Sequence, residues 1–342
     1  MSLHVKQAGA WSTVQNLYVN QSGVWVPVQY AYVKNAGAWV QYYSSEVVVT
    51  LAANTNNVNI STLFTSAVWT SSTNKRVVIN SGVTIGSTSS GTPAMRTGVS
   101  WGGLLTIENA GTIQGAGGAG NSGAGGHALI ADASGVIVKN TGIIRSGGGG
   151  GGHGGNGGNG YYTYTISEGP AYAGYPANGG SRYYWQTQNG TSIDSAYWNN
   201  ANLFSGNVDS PVTVNGFTYT RGVQRASYTS GSSSFKVFEI SRSYQATAYT
   251  SGGAGGDGGR GQGADGSAAA GSAGSGGGTN AGTGGTGGTG GAYGANGSTG
   301  NSGSAGNNGS GTAGTTGGLA GISYNVANIS MTNTGTITGR TS

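Results

Sequence analysis

Between Gly282 and Gly309 the chain reads GTGGTGGTGGAYGANGSTGNSGSAGNNG, with glycine at every third position ten times in succession. Such a run has almost nothing to place in an apolar core, and ordered glycine loses more backbone freedom than any other residue. Three arrangements compete. A Gly/Ser-rich chain is by default a flexible linker. Collagen shares the period of three, but residues 212–342 contain no proline, which argues against that triple helix. The third is a bundle of polyglycine-II helices, polyproline-II in geometry, with three residues per turn and glycine along one edge. Neighbouring backbones then approach closely enough to exchange N–H and C=O bonds.

The phase of the repeat favours the bundle. Glycine recurs at 252, 255, 258 and 261, then at 271, 274 and 277, then from 282 to 309. A linker has no need of a phase. Resets are expected where turns join antiparallel segments, so 282–309 reads as one rigid return leg. The outgoing leg, GGGGGGHGGNGGNG at 147–160, extends roughly 40 Å at the polyproline-II rise.

Two other repeats frame the glycine segments. The first 44 residues align as LHVKQAGAWSTVQN, LYVNQSGVWVPVQY and AYVKNAGAWVQYYS, a strict period of 14 that repeats Trp11, Trp25 and Trp39. Each copy is an alternating run, a turn ending in glycine and a second alternating run, the pattern of a β-hairpin. These hairpins form a meander, or a three-lobed docking or oligomerisation module that buries the tryptophans against a partner. A second motif, apolar-x-Asn-x-Gly-x-Ile, appears in IENAGTIQG (107–115), VKNTGIIRSG (138–147) and MTNTGTITG (331–339). INSGVTIG at 79–86 is a shortened relative. Asn and Gly suit a tight turn with positive φ, and the flanking apolar residues share one side. The motif predicts rungs of a β-solenoid, or a hairpin stacked on its copies. Residues 45–75 give few signals beyond β propensity, and GAGGAGNSGAGGH reads as a short loop between two rungs.

Residues 161–250 are of another kind. They hold 12 of the 19 tyrosines together with Trp185 and Trp198, and Asn215-Gly216 sits between alternating runs as a hairpin signal. Tyr, Ser, Gly and Asn with occasional Arg and Trp is the composition of a binding surface, in which stiff aromatics give contact area at low entropic cost. The same rings stack on sugars. The alternative is that they form the core of a small β-domain, and a mixture of both uses is expected. The candidate receptor-contacting residues are Tyr161, Tyr162, Tyr164, Tyr172, Tyr175, Tyr183, Tyr184, Trp185, Tyr197 and Trp198.

Composition narrows the function. The net charge of +5 is spread thinly, with no basic run beyond Lys75-Arg76, which argues against nucleic-acid binding. There is no cysteine, hence no disulfide and no Cys-ligated metal. The opening MSLHVKQAGAW lacks a charged-then-apolar leader, and no apolar run approaches membrane-spanning length, so a soluble chain without a cleaved signal is expected. Nine carboxylates and three histidines leave little for catalysis. Glu168, Asp194, Asp209 and Glu239 include no pair at a spacing that singles out a glycosidase, and ion pairs or turns suit them better. His127 and His153 have no second ligand at metal spacing, and GGAGGD (252–257) begins a calcium nonapeptide that Gly259 breaks. No enzyme, metal or cofactor is expected.

The alternation of GGGGGGHGGNGGNG and GTGGTGGTGG with an aromatic, idiosyncratic segment at 161–250 resembles the receptor-recognising adhesins at the tips of T-even-like bacteriophage tail fibres. The likeness covers roughly residues 100–342 and is one of organisation. The resemblance implies a sandwich of polyglycine-II helices whose distal segments bind an outer-membrane protein or surface glycan of the host. It also implies an N-terminal part docked on a trimeric tail-fibre protein, although the 14-residue repeat departs from the family's usual attachment domain and leaves a self-trimer open. The expected location is the distal tip of the fibre in the virion, after synthesis in the host cytoplasm. The fold class is therefore all-β plus polyglycine-II. Its parts are hairpin repeats at 1–44, a β-rich connector and rung platform at 45–146, the glycine bundle at 147–160 and 251–321, the Tyr-rich β insert at 161–250, and a last rung at 322–342. A non-enzymatic adhesin is the leading reading. An ice- or surface-binding protein presenting rows such as Thr283, Thr286 and Thr289 is the alternative, with a capsule-degrading tailspike behind it.

Overall fold

The computed structural model describes residues 4–7, 9–14, 17–28, 30–174, 212–214, 217–230 and 233–342. The chain divides into two compact units, Met1–Gly160 with Ser251–Ser342, and Tyr161–Thr250.

Three hairpins open the first unit: β1 (His4–Gln7) with β2 (Ala10–Thr13), β3 (Tyr18–Gln21) with β4 (Val24–Pro27), and β5 (Tyr30–Asn35) with β6 (Ala38–Ser44). Each is its own two-stranded antiparallel sheet, so the described strands do not form a meander. Gly9, Gly23 and Gly37 turn the chain at φ +86°, +89° and +89°, with Ser22 and Ala36 also at positive φ. Two successive positive φ values give the turn whose twist matches that of the flanking strands.

A three-sided parallel solenoid of five rungs follows. Its rungs are β7 (Glu46–Leu51), β8 (Thr55–Asn56) and β9 (Val58–Asn59); then β10 (Asn74–Ile79), β11 (Thr84–Gly86) and β12 (Met95–Arg96); then β13 (Leu105–Asn109), β14 (Thr112–Gln114) and β15 (Leu129–Ile130). The fourth runs β16 (Val136–Asn140), β17 (Ile143–Arg145) and, after the glycine excursion, β22 (Ile322–Tyr324). The fifth is β23 (Ile329–Asn333), β24 (Thr336–Thr338) and β25 (Arg340–Thr341). Residues 45–75, poor in sequence signals, thus supply a full rung, with a 3-10 turn (Ile60–Leu63) and a short helix α1 (Ser66–Thr70) in its last corner. Alternate residues point inward and stack in columns, such as Val77, Ile107, Val138 and Met331, and Ile85, Ile113, Ile144 and Ile337. Nearly all of this interior is closed to water, and Trp69, stacked on Phe64 and tilted against Trp101, seals that last corner. Lys75 lies fully buried in an inner column, where its Nζ donates to the carbonyls of Ser71 and Gly102 at 2.5 Å each. Burial pulls its pKa below the usual lysine value.

The repeated Asn and Gly have a different cause from the positive φ expected of them. Asn109, Asn140 and Asn333 form a ladder: the Asn109 amide donates to Asn140 Oδ1 at 2.7 Å, and the Asn140 amide to Asn333 Oδ1 at 2.6 Å. Gly111, Gly142 and Gly335 lie outside the positive-φ set. Each is glycine because a Cβ there would stand 2.1–2.3 Å from the carbonyl oxygen of the turn beneath. In INSGVTIG the ladder position is held by Ile79, not Asn80, and the corner is longer.

The glycine chain leaves from one corner of the third and fourth rungs and folds into antiparallel and parallel legs: 115–119, 123–126, 147–159, 252–263, 266–278, 281–292, 295–306 and 309–321. The described bonds between them run from backbone to backbone at intervals of three. Gly148, Gly151, Gly154 and Gly157 donate to Gln262, Gly259, Gly256 and Gly253, while Gly149, Gly152, Gly155 and Gly158 donate to Ala295, Ser298, Asn301 and Ser304. The same leg accepts from 281–292 and 309–321, so 147–159 is the centre of the lattice. The segment read as a short loop between rungs contributes the first two legs.

The number of glycine rows in a leg follows the number of its edges that are covered. In the central leg two rows are wholly glycine, because a Cβ on either would lie 1.9–2.1 Å from a carbonyl oxygen of 281–292 or 309–321. The third row is Gly147 and Gly150 beside the short first legs, then His153, Asn156 and Asn159 beyond them. Legs 252–263 and 281–292 carry two glycine rows, and 295–306 one. Backbone donors on uncovered edges are met by hydroxyls: Thr283 and Thr289 N–H reach Ser304 and Ser298 Oγ at 2.7 Å, and His153 and Asn156 N–H reach Thr315 and Thr312 Oγ1 at 2.7 Å.

One expectation fails in this region. Residues 282–309 are not a single return leg; the chain reverses at 292–295 and again at 306–309. The reversal at Ala292–Ala295 places Gly294, at φ +69°, in the repeat's own phase, so the glycine count runs through the turn without a reset.

Candidate functional site

The lattice has two unlike ends. At the solenoid end, the turns are pinned to the rungs: Ala264 N–H donates to Gly115 O, Gly294 N–H to Ser146 O, and the Arg145 guanidinium lies 3.7 Å over the Tyr293 ring. Arg145 is held flat there by two bonds to Gln114 Oε1. At the other end are the tight turns 278–281 and 306–309, and the points at which the chain leaves at Gly160 and returns at Ser251. These are drawn together through asparagine: Asn307 N–H donates to Asn280 O, Asn308 N–H to Asn159 O, and Gly252 N–H to Asn159 Oδ1 at 3.3 Å.

The unit inserted at that end has a four-stranded sheet in the order β18-β21-β20-β19, from β18 (Gly160–Gly174), β19 (Val212–Val214), β20 (Phe217–Ser230) and β21 (Ser233–Thr250). β19 and β20 pair antiparallel, with Val214 opposite Phe217 across Asn215-Gly216, and β20 pairs antiparallel with β21. The sheet is fastened by a buried cation. Arg242 is 5% exposed, its Nε lies 2.7 Å from Glu168 Oε2, and its guanidinium lies 4.4 Å over the Phe217 ring. Phe217 meets Tyr244 edge-on at 5.0 Å. Burial of a guanidinium is tolerable because both an ion pair and an aromatic face receive it.

The structure places three of the named tyrosines on the first strand of this sheet with exposed rings: Tyr161, Tyr162 and Tyr164. Tyr162 and Tyr164 share a face, with ring centroids 6.0 Å apart. Tyr161 instead meets Tyr249, 6.4 Å away and 74% exposed, a residue that sequence reasoning did not single out. The alternation in ATAYT at the end of β21 was the available signal. Tyr172 lies in β18, but its side chain, like Tyr175, Tyr183, Tyr184, Trp185, Tyr197 and Trp198, falls outside the described residues. Of the candidate carboxylates, Glu168 pairs with Arg242, while Asp194, Asp209 and the side chain of Glu239 lie outside the described residues.

In the hairpins, Trp25 and Trp39 stand 67% and 70% exposed, opposite Asn20 and Lys34 in the strand register. Trp11 holds the equivalent position opposite Lys6 in β2, with its side chain outside the described residues. The histidines are separated. His127 Nδ1 accepts the Ile322 N–H at 2.9 Å inside the solenoid corner, and burial together with the Arg340 charge pulls its pKa down. His153 lies on the lattice, 3.7 Å from Asp257, a neighbour that sequence spacing could not show.

No curated protein sequence matches the chain. Among solved structures, the crystal structure of the gp37-gp38 adhesin tip complex of the bacteriophage S16 long tail fibre is similar at 16% identity, over 87% of this chain and 82% of that one. The TM-score of 0.39 leaves that likeness loose. The profile of the phage tail fibre adhesin Gp38 family matches residues 46–236, from the first rung of the solenoid into the Tyr-rich unit. With more than half of its length matched, the chain belongs to the Gp38 family of phage tail fibre adhesins.

Proposed function

We propose that this adhesin is the receptor-reading tip of its fibre, without enzymatic activity, and that residues 161–250 make the contact with an outer-membrane protein or glycan of the host. One observation carries the reading. At the end of the lattice remote from the solenoid, two leg junctions are tight turns, 278–281 and 306–309, whereas the third holds an insertion with 12 of the 19 tyrosines. A chain that can close this end with four residues has a use for the rest.

The remaining parts take roles in keeping with it. The glycine legs are a polyglycine-II bundle, supported by their period of three and their leg-to-leg bonding, and they form the scaffold from which the chain of the insert leaves and to which it returns. The exposed Trp25 and Trp39, with Trp11 in the same register, dock the chain on a trimeric tail-fibre protein or on its own copies. An aromatic repeated in the same register on three hairpins suits a partner that repeats three times. Tyr161, Tyr162, Tyr164 and Tyr249 form the described edge of the receptor surface. Production in the host cytoplasm and assembly at the distal fibre tip complete the proposal.

The test replaces 161–250 with Asn-Asn-Gly, so that Gly160-Asn-Asn-Gly copies the turn Gly306-Asn307-Asn308-Gly309. The proposal expects a folded protein that assembles into virions but no longer adsorbs to host cells. Normal adsorption by such virions contradicts it.

A further inference from the structure

The outer face of the solenoid's first sheet carries a recess of about 270 Å³ beside the third hairpin. Its floor is a ladder of alternating charge across four rungs. Arg76 Nε lies 3.1 Å from Glu46 and its Nη1 2.9 Å from Glu108, whose other oxygen meets Lys139 Nζ at 3.1 Å. Parallel register makes this ladder, because it sets Lys139 directly over Glu108 and leaves Arg76 one step away on the same outward face. Tyr30, Ser45, Asn74 and Thr106 complete the lining.

We infer that this recess binds a neutral, hydroxyl-rich ring, a single sugar residue of a glycan. Charge excludes the other small ligands. Two carboxylates repel a phosphate or sulfate, and Arg76 and Lys139 repel a metal ion. The lining offers no aliphatic side chain for an acyl chain or an apolar peptide residue. What remains matches a sugar: Tyr30, 40% exposed, gives a ring face, and the ladder gives donors and acceptors side by side. Arg76 uses two of its five donors on Glu46 and Glu108, and Lys139 one of its three on Glu108, so N–H groups remain for vicinal hydroxyls. Glu108 keeps its charge at neutral pH. Burial pushes the Glu108 carboxyl up, but bonds and charges from Arg76 and Lys139 outweigh it and hold the group below the usual range. The site is built wholly from residues of the first unit and does not depend on the receptor assigned to the Tyr-rich unit. Nothing but one ring and a few hydrogen bonds holds the ligand, so a dissociation constant on the order of 1 mM is expected.

Saturation-transfer NMR on the full chain tests the site with D-glucose, D-galactose and N-acetyl-D-glucosamine. Transfer to at least one of them is expected, with binding at least tenfold weaker in Tyr30→Ala and in Lys139→Met. Both positions are solvent-exposed and leave the solenoid interior untouched, so unchanged thermal melting accompanies the loss. Absence of transfer to all three sugars overturns the assignment. Equal binding in wild type and both variants also overturns it, since it places the sugar elsewhere. Displacement of the sugar by inorganic phosphate alone shows an anion site and is equally fatal.

Discussion

A glycine row in this protein is a record of contact. Gly154 and Thr286 belong to adjacent legs of similar composition, but a Cβ on Gly154 would stand 2.0 Å from the carbonyl oxygen of Gly285, whereas Thr286 is exposed. Gly154→Ala is therefore expected to cost about 3 kcal/mol or more, because backbone on both sides must shift. Thr286→Ala is expected to stay within about 0.5 kcal/mol. Denaturant unfolding of the two variants checks the contrast, and equal losses contradict the packing assigned to the legs. His127 provides a pH dependence. Its folded pKa is lowered by burial and by Arg340, so the unfolded chain binds the proton more readily. Stability is full above the unfolded value of about 6.5 and declines as pH falls below it through the folded pKa. Thermal melting between pH 7.5 and 5 follows this, and His127→Gln is expected to flatten the slope over that range.

Elements were legible in proportion to how often they repeat. The apolar-x-Asn-x-Gly-x-Ile motif marks three of the five second-face corners, since three asparagines stack on one another and three glycines admit the turn above or below. The first rung was not legible. It has no ladder asparagine, and its inner residues Val47, Val49 and Leu51 carry only a two-residue alternation common to any half-buried strand. Rung two was misleading for a related reason: Ile79 stands where the ladder begins, and Asn80 is displaced into a longer corner. The ladder makes its own prediction. Asn140 bonds to a neighbour on each side, so Asn140→Ala removes the nearer of the two acceptors of the buried Asn109 amide and is expected to cost about 1–3 kcal/mol. Asn333→Ala, at the exposed end of the ladder, is expected to cost less. Urea unfolding of both variants compares them, and a larger loss at Asn333 contradicts a ladder anchored from within.

At the scale of the whole molecule, composition alone suggested a linker, and the phase of the glycines argued for order. The phase gave the existence of packed legs but not their number. A turn such as Ala292–Ala295 preserves the period, and the centrality of 147–159 emerges only when all three of its edges are followed along the chain. The Tyr-rich candidates were legible as a composition, while the sorting of rings into buried and exposed ones depends on strand register that a single sequence does not carry. Within this account the glycine lattice is the rigid part on which recognition depends. Hydrogen–deuterium exchange of the amides of Gly148, Gly149, Gly151, Gly152, Gly154 and Gly155 tests that directly, since each donates to a neighbouring leg from the centre of the lattice. The account predicts that they exchange as slowly as the inner strands of the solenoid. Exchange at the rate of an unstructured glycine peptide would contradict it and leave the segment a linker.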